Sequence, residues 1–64
     1  MVQIRNVAEL LGDPTLRHLP TRAAARRVLK ESVPWLGSRW EPTRRSIQRG
    51  RLGWEVYVRR EVTD

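Results

Sequence analysis

Residues Gln48–Arg59 read QRGRLGWEVYVR. The second half alternates without a break. Trp54, Val56 and Val58 fall on one side and Glu55, Tyr57 and Arg59 on the other, the period-two signature of a strand with one buried face. The first half cannot continue that pattern. Arg49–Gly53 is a five-residue connection with two glycines, suited to closing a hairpin. Thr43–Gln48 then reads as the partner strand, with Arg45 and Ile47 on one side and Arg44, Ser46 and Gln48 on the other. A competing reading makes Pro42–Arg49 a helix, with Pro42 at its first position and Gly50 just past its end. The hairpin is preferred. Gly50 would let the chain turn with positive φ and keep a tip carrying Arg49 and Arg51 narrow.

Upstream of the hairpin the period is helical. Val2–Arg5 is a short extended lead-in. Asn6 offers an N-cap, and Glu9 stands at the position from which a carboxylate reaches back to the cap N–H. Val7, Ala8, Leu10 and Leu11 form the apolar side of a short helix at about 6–11, stopped by Gly12. Asp13-Pro14 begins a turn. Thr15–Leu19 fits a helical turn with Leu16 and Leu19 inward. Thr21 caps the clearest helix, 21–32, which ends before Pro34. Ala24, Ala25, Val28 and Leu29 make its apolar stripe. Arg22, Arg26 and Lys30 lie at i, i+4 and i+8 on another side, with Arg27 beside them and the small Ala23 close by. Pro34–Ser38 reads as a turn with Trp35 and Leu36 as apolar anchors. Most of the three tryptophans are expected in the core, because the chain has no phenylalanine.

With 64 residues the chain is a single domain, 1–64, and a small one. It has no cysteine, so neither disulfides nor a cysteine metal site are open to it, and the lone His18 cannot build a zinc site. Neither a metal nor a cofactor is expected. No nucleophile–base constellation or phosphate-cradling loop is present, and the carboxylates stand singly, so no enzyme activity is expected. No apolar run reaches membrane-spanning length and no signal peptide is visible, so a cytoplasmic protein without a membrane partner is the expectation.

Charge is the strongest functional signal. The net charge is +6, and twelve of the thirteen basic residues are arginine. Such a charge points to an anionic partner, and arginine grips phosphate and guanine through a forked donor set. The positive excess begins at Arg22 and runs to Arg60; residues 1–20 are balanced. Two helices followed by a basic hairpin make an α+β, winged helix-turn-helix order: a short N-terminal helix, a basic second helix and a C-terminal β-hairpin wing. The expected ligand is double-stranded DNA, with helix 21–32 in the major groove and the Arg-Gly-Arg tip at the minor groove or the backbone. The candidate DNA-binding residues are Arg22, Arg26, Arg27, Lys30, Arg44, Arg45, Arg49, Gly50 and Arg51. A homo-oligomer on DNA is a further expectation. A basic phage-type protein that binds and inhibits a host protein, through the arginine face and the Trp35-Leu36 and Trp40 region, is the alternative from another class. Single-strand binding through exposed tryptophans is a third.

Two motifs add a resemblance. Val7-Ala8-Glu9-Leu10-Leu11-Gly12 resembles the opening, and Arg49-Gly50-Arg51-Leu52 with Arg59-Arg60-Glu61-Val62 resembles the close, of small MerR-like and excisionase-like winged-helix proteins. Together they span about a third of the chain. The stretch between Gly12 and Gly50 is longer than that family's usual spacing. The resemblance implies an excisionase, an accessory recombination factor or a small transcriptional regulator from a phage or another mobile element. Arg49-Gly50-Arg51 also resembles the AT-hook-like loop of actinobacterial nucleoid proteins.

Overall fold

A computed structural model describes residues 1–37 and 39–63. In chain order the elements are β1 (Val2–Asn6), α1 (Val7–Leu11), a 3-10 turn (Pro14–Arg17), α2 (Arg22–Ser32), a second 3-10 turn (Val33–Trp35), β2 (Ile47–Arg49) and β3 (Trp54–Glu61). The chain is thus an α+β fold with two helices and a three-stranded antiparallel sheet in the order β1-β3-β2.

Local chemistry sets the helix ends. The Asn6 side chain accepts the Ala8 N–H at 2.8 Å, and Gly12 closes α1 in the left-handed region at φ 66°. The expected return bond from Glu9 is not made among the described residues, and Glu9 faces solvent. Asp13 Oδ1 accepts the Thr15 N–H and starts the first 3-10 turn, which leaves Leu16 and Leu19 half-buried. Thr21 Oγ1 accepts the Ala24 N–H at 3.0 Å and caps α2, an interaction worth about 1 kcal/mol.

The core lies between α2 and the inner face of the sheet, and α1 closes one end. Val7, Ala25, Val56 and Val58 are fully enclosed, with Val28, Leu29, Ile47, Trp40 and Trp54 packed around them. Paired residues of an antiparallel sheet share a face. The register Ile47↔Val56 and Arg5↔Val58 therefore defines the inner face, and Gln48↔Glu55 and Ile4↔Arg59 the outer one. Among the described residues no helix packs on the outer face, where Ile4 is 62% exposed.

Three sequence expectations are corrected here. First, the strand expected over Thr43–Gln48 is only Ile47–Arg49, and the competing 42–49 helix does not form either. Residues 43–46 make a turn held by side chains: the Thr43 N–H donates to Ser46 Oγ at 2.6 Å and the Arg45 N–H to Thr43 Oγ1 at 3.0 Å. Hydroxyls that satisfy the backbone locally compete with a ladder, and here they win. Ser46, expected to face away from Ile47, is buried in that turn. Second, Gly50 has no positive φ; within the hairpin loop the glycine at positive φ is Gly53, at 154°. Third, Trp35 is not an anchor. It is 83% exposed, whereas Trp40 and Trp54 pack on the core.

Candidate nucleic-acid interface

The outward side of α2 displays Arg22, Ala23, Arg26, Arg27 and Lys30, all exposed, because Ala25, Val28, Leu29 and Ser32 occupy the inward side. Eleven helical residues span about 16 Å, enough to lie along a groove about 12 Å wide. Ala23 leaves a low point between the arginines, so the helix backbone can approach a ligand there.

The hairpin borders this helix. Its loop, residues 50–53, is closed by the Gly50 N–H donating to the Gly53 carbonyl at 2.8 Å. The loop does not project freely. The Trp54 N–H donates to the Leu19 carbonyl at 2.9 Å, and a Cβ on Gly53 would sit 3.0 Å from backbone atoms of His18 and Leu19. The loop is therefore fastened to the segment that precedes α2; Arg49, the last residue of β2, and Arg51, in the loop, are both exposed. Arg17 and Leu52 line one shallow cleft beside the loop. Arg17 belongs to the charge-balanced segment 1–20, and its neighbours in the chain carry no signal that the fold sets it next to the loop.

Arg44 and Arg45 are exposed on the 43–46 turn. Pro42, two residues before Arg44, shares a groove with Arg26, Leu29 and Lys30. The eight cations among the nine candidates are all exposed: four on α2, Arg44 and Arg45 on the 43–46 turn, Arg49 at the end of β2 and Arg51 in the loop. The ninth, Gly50, serves differently from what was expected. A Cβ there would meet the Glu55 carboxylate at 2.5 Å, so the glutamate lies over Gly50 and would have to rotate away from any larger residue. Glu55 in turn accepts from the Tyr57 hydroxyl at 3.0 Å.

Two arginines of the basic C-terminal region are engaged within the fold. Arg59 Nε lies 3.5 Å from Glu41 Oε1, a charge contact without a hydrogen bond and, at this exposure, worth little. The Arg60 guanidinium sits 4.8 Å from the centre of the Trp40 ring, and its Nε donates to Gln3 Oε1 at 3.0 Å. Arg59–Glu41 is the single ion pair among the described residues, so no carboxylate pairs there with the α2 cations. No cluster of three or more His, Cys, Asp or Glu among the described residues is placed to hold a metal ion. No helix among them is long and apolar enough to cross a membrane. Compared with protein-family models, with curated proteins and with solved structures, the chain finds no match in any of the three.

Proposed function

We propose that this chain is a double-stranded DNA-binding protein of the winged helix-turn-helix type. The observation that carries the proposal is the outward face of α2. Four exposed cations stand there, with one carboxylate, Glu31, on the same surface and no ion pair to any of them among the described residues. Helices before a hairpin, with the sheet order β1-β3-β2, are compatible with the winged-helix arrangement. In this reading α2 enters the major groove, where Arg22, Arg26 and Arg27 reach base edges or phosphates and Lys30 reaches phosphate. The hairpin supports the helix rather than probing on its own. β2 is only three residues long and the loop is fastened at His18–Leu19, so Arg49 and Arg51 meet the backbone beside the occupied groove. The biological role inferred is that of an excisionase-like recombination factor or small transcriptional regulator in the cytoplasm, without a catalytic step.

Titration of a labelled duplex at several salt concentrations tests this. Contact with about six phosphates gives a log–log salt slope of about −5. Salt-insensitive affinity, or no duplex binding at low salt, would sink the reading. Arg49→Ala with Arg51→Ala should lower the slope by about 2 and weaken binding evenly across sequences, as backbone contacts do. A selective loss on A·T-rich duplexes would instead show a loop that reads the minor groove.

One observation favours the second reading, a protein partner. Trp35 is 83% exposed, and the residue before it lines an apolar groove with Leu29, Val33 and Pro42. Retention of one protein partner after nuclease treatment, with no duplex binding by the purified chain, would move the conclusion to that reading.

A further inference from the structure

The two edges of the sheet are unlike each other. The β2 edge is short and is flanked by Pro42, Arg44, Arg45 and Arg49, which are features that discourage strand addition. The β1 edge has none of these across Val2-Gln3-Ile4, which is uncharged and free of proline. Its outer-face side chains are open: Val2 is 48% exposed and Ile4 62%.

The hydrogen-bond phase of β1 follows from two contacts. Met1 and Val62 exchange both bonds, N–H to carbonyl in each direction, at 3.2 and 2.8 Å. In an antiparallel ladder such pairs alternate, so Gln3 and Arg5 point their backbone groups toward β3. Val2 and Ile4 point theirs away. The far side of β3 agrees: Arg59, opposite Ile4, directs its N–H and carbonyl to Glu41 at 2.9 Å each, away from β1. The free edge therefore presents the N–H and carbonyl of Val2 and of Ile4, one residue apart.

We infer that β1 is a self-association edge, pairing antiparallel with β1 of a second copy about a two-fold axis at Gln3. That register matches the outward groups of Val2 and Ile4; Asn6, also outside the ladder, is buried at the start of α1 and off the open edge. Val2 exchanges both bonds with Ile4 of the other copy, and Ile4 with Val2, while Gln3 faces its own counterpart. Residues paired this way share a face, so the two valines and two isoleucines form one apolar strip on the uncovered outer face. No charge on Val2–Ile4 opposes its own image, which an isologous contact requires. A shift of the register by one residue would set the outward groups of one strand against inward groups of the other. The axis is normal to the sheet, so both α2 helices lie on the same side of a six-stranded sheet. The inference stands whether or not the ligand is DNA.

Sedimentation equilibrium from micromolar to millimolar concentration tests it. The chain should shift from 7.5 kDa to twice that mass. Ile4→Pro removes an outward N–H that β3 does not use, a position where an edge strand tolerates proline. It deletes two intermolecular bonds per dimer and should weaken association about thirtyfold, while the urea midpoint of the dilute monomer stays unchanged. Because the chain has no cysteine, Gln3→Cys provides a second readout. It should oxidise to a covalent dimer much faster than Arg44→Cys, placed at the opposite edge. A wild-type monomer at every concentration, unchanged association of Ile4→Pro, or equal oxidation rates for the two cysteine variants would each overturn the inference.

Discussion

Replacing Arg22, Arg26, Arg27 and Lys30 together by alanine should lower duplex affinity about 10³-fold at 0.15 M salt and cut the salt slope from about −5 to about −2. The reasoning is counterion release. Each phosphate neutralised frees close to one condensed cation, so four contacts change affinity by about 10³ between 1 M and 0.15 M salt. The helix itself should survive. All four side chains are exposed, and alanine is the better helix former. Unchanged far-ultraviolet circular dichroism would therefore accompany the loss. Lysine in place of the three arginines separates two roles. It keeps the charge, so the slope should persist, but it removes the planar fork that reads guanine or grips phosphate with two bonds. Discrimination between duplexes should then fall while non-specific binding remains. If the fourfold alanine variant binds as tightly as the parent and with the same slope, α2 is not the DNA contact.

The second large effect concerns stability, and it distinguishes the two loop glycines. Gly53→Ala should destabilise the fold by about 2–3 kcal/mol, read as a fall in the thermal midpoint on the order of 10–20 °C. Two costs combine. Gly53 sits at φ 154°, where side chains are rarely found, and the new methyl would stand 3.0 Å from backbone atoms of His18 and Leu19, which cannot swing aside. A domain of this size has only a few kcal/mol in reserve. Gly50→Ala should cost about 1 kcal/mol, because its neighbour is the far end of a flexible glutamate that can rotate away at the expense of one hydrogen bond to Tyr57. Equal midpoints for the two variants would show that the loop is not fastened to the turn before α2. The same substitution at Gly53 should also weaken DNA binding, since the loop and the entry to α2 are held by one contact region.

Much of this was legible from short-range rules. Asn6 and Thr21 cap helices because a short polar side chain reaches its own N–H groups. Gly12 ends α1 because the left-handed region costs it nothing. Trp54–Glu61 alternates because one face is buried, and α2 divides into a cationic and an apolar side because its period is that of a helix. These effects act within a few residues, so the linear order contains them. The α+β class and the basic face of α2 follow from them.

The rest depended on which segments meet. Trp35 and Trp54 have the same chemistry, yet one is exposed and the other packs on the core, because only Trp54 lies on a strand facing α2. Arg59 and Arg60 looked as available as Arg49 and Arg51, until pairing with residues distant in sequence set them beside Glu41 and Trp40. The hairpin tip shows the division most clearly. Arg49-Gly50-Arg51 was readable as a basic turn. That it is fastened to His18–Leu19 through Gly53, next to the start of α2, came from backbone contacts between residues more than thirty apart, and no local pattern encodes those. Period and capping are properties of a segment; a site is a property of the packing that brings segments together.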